Sequence, residues 1–337
     1  MRFGLIISKQ HPAGASMVER FREHVDQVRA ARDAGFDMIV MGQHYLSTPF
    51  QELQTLPSLA RLAAEAGTMR IGATVLLLPL LNPVDVAEQV ATLDVICEGR
   101  FVFGAGLGYR DQEYEAFGIQ GKERVGRFVE SLEVIRRLWT EDGVTFHGKF
   151  FHLDKVSMAP KPLQRPGPPI LLGADSVKTV ARVPEVADHW IASRRHSKTF
   201  LREAVPAYKT ALERHGRPYK GLFIFRDLCI ADSTREAEQR IREGYERRYL
   251  RYQQWGQPGE RYDLKFEELK RDRLILGSPS EVVEQVMAYH EEFGAEVMWF
   301  MVDWPGMDPR FTLETIERFG AEVIPQINRL TRPCPLL

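Results

Sequence analysis

The feature that most constrains the fold of this chain is a strand–helix–strand unit at residues 69–110. Two apolar runs, residues 70–79 and 100–105, have strand character and flank one amphipathic helix. Strands joined by a helical crossover run parallel in one sheet, because the crossover carries the chain back to the end at which the first strand began. The unit therefore predicts an α/β protein built on a parallel sheet.

The same alternation continues along the whole chain. Eight apolar runs have strand character, and a helical pattern follows each of them. These runs are residues 3–7, 38–41, 70–78, 101–105, 170–172, 189–192, 222–231 and 297–302. Eight parallel strands, each followed by a helix, close into a (β/α)8 TIM barrel. We therefore predict one barrel domain over residues 1–337 with a hairpin insertion at about 145–169, and an open doubly wound sheet is the alternative.

Charge and cysteine content exclude several classes of function. The chain has 45 Lys and Arg against 46 Asp and Glu, so we expect no nucleic-acid or membrane partner and a small-molecule substrate instead. The longest apolar run, residues 74–81, is far too short to span a bilayer. Cys97, Cys229 and Cys334 are widely separated, which indicates reduced thiols and a cytoplasmic protein. The nine histidines form neither HxH nor HExxH, so we predict no metal.

The loops after the strands carry the candidate functional residues, because barrel enzymes place their chemistry at the carboxyl ends of the strands. His44 follows the second strand, and Tyr109 and Arg110 follow the fourth. Gly104, Gly106 and Gly108 recur at the two-residue period of a strand, which predicts a wall without side chains against which a flat ligand can lie. Close packing of a neighbouring element is the alternative use of these glycines.

A second candidate site follows the fifth strand. Gly173 and Ala174 lead into a helix start with hydroxyls at Ser176 and Thr179, where unpaired backbone N–H groups favour an anion. An ordinary helix cap by Asp175 or Ser176 explains the same residues without a ligand.

The order and spacing of short motifs along nearly the whole chain resemble the bacterial-luciferase-like family of flavin-dependent monooxygenases, which also includes oxidoreductases that use the deazaflavin F420. The motifs lie at residues 34–37, 82–83, 99–101, 104–110, 138–140 and 277–279. The resemblance implies a monooxygenase that receives reduced FMN from a separate flavin reductase and oxygenates a small organic substrate with O2. It also implies a homodimer. The alternatives are F420-dependent hydride transfer and a flavin-binding protein without turnover.

By this resemblance, His44 is the catalytic residue and acts on a proton, for which histidine is suited at neutral pH. The resemblance further implies a cis peptide bond between Ala73 and Thr74. The implied cofactor-binding residues are Ala73, Thr74, Gly106, Gly108, Tyr109, Arg110, Gly173, Ala174, Asp175, Ser176, Thr179 and Ser193.

Two positions depart from the family pattern. Gln43 stands where the luciferase pattern has an acidic residue, which leaves His44 without the carboxylate expected beside it. Leu107 stands in place of a phosphate-binding arginine, so Arg110 or Lys178 is expected to supply the positive charge.

Other residues receive structural or peripheral roles. We expect an ion pair between Asp94 and Arg100 at the amino-terminal face of the barrel, and a structural role for Arg124 and Glu130. The charged segment at about 236–275 is either a lid or a solvated face. The side chains expected to line a partly hydrophobic substrate pocket are Leu46, Phe50, Tyr109, Phe225, Met301 and Trp304.

Overall fold

The computed structural model describes residues 1–8, 10–256 and 264–332. The strands in these residues are β1 (Arg2–Ile6), β2 (Met38–Met41), β3 (Arg70–Leu77), β4 (Phe101–Gly106), β5 (Val144–His147), β6 (His152–Val156), β7 (Ile170–Gly173), β8 (His189–Ala192), β9 (Leu222–Ile230), β10 (Leu274–Gly277) and β11 (Ala295–Met301).

The helices are α1 (Met17–Asp33), α2 (Thr55–Ala63), α3 (Pro83–Ile96), α4 (Asp111–Ala116), α5 (Arg124–Thr140), α6 (Val177–Val180), α7 (Val183–Val186), α8 (Lys198–Arg214), α9 (Thr234–Gln254), α10 (Phe266–Arg273), α11 (Pro279–Phe293), α12 (Pro309–Arg318) and α13 (Ile324–Leu330).

Eight parallel strands form a closed TIM barrel, which confirms the predicted fold class and excludes the open sheet. The order around the barrel is β1, β2, β3, β4, β7, β8, β9 and β11, and β11 pairs again with β1. The strand β10 was not predicted; it pairs with the far end of β9, from Asp227 to Ile230, beyond the part that pairs with β11. Strands β5 and β6 pair with each other in an antiparallel hairpin.

Alternation along the strands divides the core into two layers. One set of side chains fills the barrel interior, where Val40, Val102 and Phe223 are nearly inaccessible to solvent. The other set packs between the strands and the helices, as Ile39 and Phe103 do. Burial on both faces explains why the strands are continuous apolar runs rather than alternating patterns.

Local signals fix where the helices begin. Asn82 accepts a hydrogen bond from the Val84 N–H, and Pro83 occupies the first helical position of α3. Ser278 and Glu281 form a reciprocal capping box at the start of α11. No helix in the described ranges is both long and apolar enough to cross a bilayer.

The expected ion pair between Asp94 and Arg100 is replaced by two separate sets of hydrogen bonds. Asp94 accepts from the Gln164 backbone and side-chain amides at 2.9 and 2.7 Å, whereas Arg100 donates to the carbonyls of Gly67 and Met69. Glu130 accepts three backbone N–H groups of the loop between β5 and β6, which gives it a structural role. Cys97 and Cys229 are free and buried, and Cys334 lies outside the described residues.

Candidate active site

The mouth at the carboxyl ends of the strands contains a histidine bonded to a buried carboxylate. The loop after β2 carries His44, whose side chain is 16% exposed, and its Nδ1 lies 3.2 Å from Glu113 Oε1. Glu113 belongs to α4, and its side chain has no exposed surface. The same Oε1 accepts the Tyr45 backbone N–H at 2.9 Å. Glu113 therefore supplies the carboxylate that Gln43 does not.

The hydrogen bonds to Glu113 assign the tautomer of His44. Glu113 Oε1 already accepts from the Tyr45 backbone amide and lies 3.4 Å from an Arg110 donor, so it acts as an acceptor toward the ring as well, and Nδ1 donates. The neutral imidazole then has its lone pair on Nε2. That nitrogen makes no hydrogen bond within the described residues and is available to a ligand in the mouth.

Arg110 is bound to protein groups rather than presented to a ligand. Its guanidinium donates to the carbonyls of Tyr45 and Leu46 at 2.6 and 3.0 Å and approaches Glu113 Oε1 at 3.4 Å. It also lies 4.3 Å from the centre of the Trp255 ring. Arg110 thus holds the loop after β2 in place around His44. Lys178 is exposed on α6.

Gln43 makes its hydrogen bonds to β3 and within the loop after β2, and none of them is to His44. Its Oε1 accepts the Leu77 N–H at 2.9 Å, and its Nε2 donates to the Tyr45 hydroxyl. The cis peptide bond of β3 lies between Thr74 and Val75, one residue beyond the predicted Ala73–Thr74 bond. The regular pairing of β3 with β4 breaks between Ala73 and Leu76, and the Thr74–Val75 bond lies in the middle of this irregular stretch.

The glycines of β4 serve close packing of the neighbouring strand, so the prediction of a bare wall is wrong for them. A Cβ at Gly104 would lie 2.5 Å from the Ala73 carbonyl oxygen, and one at Gly106 would lie 2.5 Å from Val75. These two glycines make room for the irregular stretch of β3. Gly108 has a φ of +78°, a left-handed conformation that glycine adopts without strain.

Several buried polar atoms at the mouth have no hydrogen-bond partner within the described ranges. They include the Thr74 hydroxyl on β3, the Tyr109 hydroxyl after β4 and the Oε2 atom of Glu113. Buried polar groups are ordinarily hydrogen-bonded, so unpaired ones in a pocket mark positions that a ligand can satisfy. The apolar side chains of Val75 and Phe225 lie between the barrel interior and the mouth and are only partly buried. This combination fits a planar, mostly apolar ligand with a polar edge.

Aromatic side chains surround His44 on the side of α9. Its ring centre lies 5.7 Å from that of Tyr109, 6.5 Å from Tyr252 and 5.6 Å from Trp255. Trp255 also contacts Phe50, with ring centres 6.4 Å apart. The end of α9 therefore covers the mouth near His44. The predicted lid segment also includes residues 257–263, which lie outside the described residues.

The predicted pocket walls are only partly at the mouth. Met301 ends β11 and packs in the interior cluster with Phe225, whereas Leu46 has half of its surface exposed. Trp304 is fully buried and packs against α9, in a cluster with Ile241 and Tyr245. It therefore supports the covering helix rather than lining the pocket.

The second predicted site contains a cation that was not predicted. Asp175 accepts from His196 Nε2 at 3.0 Å and from Arg195 Nη2 at 2.9 Å. Burial would raise the pKa of Asp175, but these two partners lower it to about 2. The side chains of Ser176 and Thr179 form a capping box at α6, and the Gly173 Cα has open space in front of it. Arg195 therefore places a positive charge on Asp175, the residue that precedes Ser176.

Ser193 organises this second site from the loop after β8. Its backbone N–H donates to His196 Nδ1 at 3.1 Å, which places the ring proton on Nε2 and directs it to Asp175. Burial lowers the pKa of His196. The structure thus groups Gly173, Ala174, Asp175, Ser176, Thr179 and Ser193 on one side of the mouth. It groups His44, Tyr109 and Arg110 on the other.

The sequence patterns did not identify Glu113, Arg195, Arg194 or Arg248. The strongest sequence signal for Glu113 is its position shortly after β4, at the end of the barrel where the chemistry is expected. The short helix α4, which carries Glu113, was not predicted. Arg194 and Arg195 directly follow Ser193, so the rule that selected Ser193 also selects them.

The chain belongs to the luciferase-like monooxygenase family, since the model of that family matches residues 1–296. The flavin-dependent trigonelline monooxygenase, oxygenase component, of Acinetobacter baylyi is 24% identical over 97% of this chain and 96% of its own length. An F420-dependent glucose-6-phosphate dehydrogenase of Nakamurella multipartita is 25% identical over 91% of this chain and 93% of its own. The crystal structure of the monooxygenase RslO1 from Streptomyces bottropensis shares the fold with a TM-score of 0.87 and 23% identity, over 97% of this chain and all of that one.

Proposed function

We propose that this member of the luciferase-like family is a monooxygenase that uses reduced FMN from a separate flavin reductase and O2 to oxygenate a small, partly hydrophobic organic substrate. The observation that carries the proposal is the His44–Glu113 pair in a mouth with aromatic walls and an apolar floor. The family includes enzymes of this kind, among them the trigonelline monooxygenase. We further propose that the protein acts as a homodimer.

The residues of the mouth fit FMN at both ends of the molecule. The unpaired hydroxyls of Thr74 and Tyr109 suit the polar edge of the isoalloxazine ring. Ala73, Gly106 and Gly108 are neighbours of these two residues along the chain, and we assign them to the same end of the cofactor. Ser176, Thr179 and Arg195 suit the phosphate, with the open backbone of Gly173 beside them. Reduced FMN, when bound, supplies the electrons with which O2 is activated.

His44 holds the reacting proton in this proposal. Its Nε2 has no hydrogen-bond partner within the described residues, and Glu113 stabilises the imidazolium that forms when Nε2 accepts a proton. A proton held there can then be returned to the oxygenated substrate. The rings of Tyr252 and Trp255 exclude bulk water from this exchange.

F420-dependent hydride transfer is the second candidate, and the same pair of residues favours it. A histidine oriented by a buried carboxylate is suited to taking the hydroxyl proton of an alcohol while a deazaflavin accepts the hydride. The F420-dependent dehydrogenase of Nakamurella multipartita belongs to the same set of relatives.

Anaerobic binding followed by exposure to oxygen separates these candidates. Reduced FMN and reduced F420 are titrated separately into the protein, and the absorbance spectrum is then followed after oxygen is added. Tight binding of reduced FMN supports the monooxygenase, as does slow reoxidation of the bound flavin after oxygen is added. Substrate-dependent reduction of oxidised F420 without oxygen supports hydride transfer instead. Binding of flavin with no turnover of any substrate supports a binding protein without catalysis.

A further inference from the structure

Three hydrogen-bond donors converge on the hydroxyl oxygen of Tyr252, near the end of α9. Gln10 Nε2 lies 3.2 Å from this oxygen and Arg194 Nη2 lies 3.3 Å from it. The Arg248 side chain, one turn earlier on α9, also donates to it. Tyr252 is 9% exposed and Arg248 is 6% exposed, so neither contact is an incidental surface contact.

The number of donors favours the ionised form of this tyrosine. A neutral phenol oxygen has two lone pairs and carries a proton of its own, whereas a phenolate has three acceptor positions and no proton. Three donors therefore match the phenolate, and two of them are cations, which strengthens the bonds. Burial would raise the pKa of Tyr252, but the charges of Arg248 and Arg194 are the main causes that lower it to about 7.

Tyr109 shows what the same mouth does to a tyrosine without such donors. Its hydroxyl is buried with no partner in the described residues, and burial raises its pKa above the ordinary range. The two tyrosines thus differ in the donors around their hydroxyl oxygens, of which Tyr252 has three and Tyr109 has none in the described residues.

The charged and titratable groups around Tyr252 come from every neighbouring element. His44 follows β2, Tyr109 follows β4, Arg194 follows β8 and Arg248 lies on α9 itself. The carboxylate of Asp227 on β9 lies 3.7 Å from Arg194. Arg248 also donates to the Met301 sulfur, and it lowers the pKa of Asp303, which burial nevertheless raises to about 7.

We propose that Tyr252 is a second proton-transfer residue of the mouth, which takes a proton from an O–H, N–H or activated C–H group of the bound substrate. The Gln10 amide, the one neutral donor, gives up its contact. The phenolate oxygen then forms an O–H bond at that position, the X–H bond of the substrate breaks, and its electron pair stays on the substrate. Arg194 and Arg248 stabilise the phenolate before the transfer. The proton leaves to solvent when the product departs.

This inference rests on the proposed function, because it assumes that substrate binds in the mouth beside His44. It adds the class of substrate, an organic molecule with an ionisable proton. It also gives the end of α9 a chemical role in addition to covering the site.

The first test measures ionisation of Tyr252 without any cofactor. The ultraviolet absorbance of tyrosinate is titrated against pH in the wild-type protein and in Tyr252→Phe. We expect one tyrosine of the wild type to ionise near pH 7, and this step to be absent from Tyr252→Phe. Tyr289→Phe, a buried tyrosine outside the mouth, is the control and keeps the step. Arg248→Met, which removes one cation, shifts the step upward by about one pH unit or more.

The second test measures turnover in the same proteins, after thermal unfolding has shown that each variant folds. Tyr252→Phe is expected to lower kcat about a hundredfold with little change in KM, and to lose the rise of kcat through neutral pH. A wild-type protein without the neutral tyrosine titration overturns the inference alone. Wild-type kcat and pH profile in Tyr252→Phe also overturn it. A protein that titrates as expected but binds neither reduced FMN nor reduced F420 overturns the proposed function and the catalytic role together.

Discussion

The molecule contains two histidine–carboxylate pairs on opposite sides of the same mouth, and they differ in what the second ring nitrogen does. His44 Nδ1 donates to Glu113 Oε1 at 3.2 Å, and His196 Nε2 donates to Asp175 Oδ1 at 3.0 Å. The remaining nitrogen of His196 accepts the Ser193 N–H, whereas the remaining nitrogen of His44 makes no hydrogen bond within the described residues. His196 is therefore a structural crosslink, and His44 retains a site for a proton.

The exposure of the two carboxylates is opposite as well. The Glu113 side chain is completely buried and serves three donors inside the protein. The Asp175 side chain is 57% exposed and joins Arg195 and His196 at the surface of the mouth. The comparison shows that a histidine–carboxylate contact alone does not indicate catalysis. What distinguishes His44 is that its second ring nitrogen makes no hydrogen bond within the part of the chain that the structure describes.

The largest expected difference between the pairs is in turnover. His44→Ala should lower product formation by about a hundredfold to a thousandfold while FMN binding stays largely intact, because only the proton-transfer group is lost. His196→Ala should leave the chemical step nearly unchanged and weaken cofactor binding, because it releases Asp175 and Arg195. Single-turnover kinetics with preloaded reduced flavin measure the first effect, and equilibrium titration measures the second. Unchanged product formation in His44→Ala removes His44 from the mechanism.

The next effect concerns the buried carboxylate. Glu113→Gln removes the negative charge beside Arg110 and places an NH2 group at the Oε2 position, which has no partner within the described residues, so the free energy of unfolding should fall by about 3 kcal/mol. Turnover should fall about tenfold, because the imidazolium of His44 loses its counter-charge. Denaturant unfolding and steady-state kinetics provide the two readouts. Asp111→Asn removes an exposed carboxylate from the same helix and should change neither.

The barrel could be predicted from the sequence because the patterns that specify its strands and helices are local and recur along the chain. Each barrel strand is an apolar run that is buried on both faces, and caps such as Asn82 with Pro83 mark where helices begin. The strand β10 was missed because its four residues, Leu274–Gly277, directly follow the charged helix α10 and pair only with the outer end of β9. No local pattern distinguishes such a short strand from a helix end.

The site was less predictable because its contacts join residues that are distant in sequence. His44 and Glu113 are 69 positions apart, and the contact exists only because α4 lies beside the loop of β2. The two-residue spacing of Gly104 and Gly106 is visible in the sequence. Spacing alone does not show whether a ligand or a neighbouring strand fills the room that the missing side chains leave. The role of Arg110 depended in the same way on Tyr45 and Leu46, whose carbonyls it binds.

The contribution of the Asp175–His196 pair to the free energy of unfolding should depend on pH. The pKa of Asp175 is lowered to about 2 in the folded protein, below the ordinary value of 3.8. Its ionised form therefore stabilises the fold above about pH 4, and this contribution is lost as the pH falls through the folded value. We expect the stability difference between the wild type and Asp175→Asn to be constant near neutral pH and to shrink as the pH falls below about 4. Urea unfolding at a series of pH values measures it, and a difference that does not change with pH contradicts the proposed charge pairing.

The smallest expected effect separates a helix cap from a cofactor contact. Ser176 and Ser278 each form a capping box, with Thr179 and with Glu281, but only Ser176 lies beside Arg195 at the mouth. Replacing either serine by alanine should lower the free energy of unfolding by about 1 kcal/mol, because each removes an acceptor for a backbone N–H. Ser176→Ala alone should also weaken FMN binding, by about threefold to tenfold, because it removes a hydroxyl from the proposed phosphate site. Equal FMN affinities in the two variants would show that Ser176 is a cap without a ligand, and the Asp175–His196 pair would then stabilise the fold without serving the cofactor.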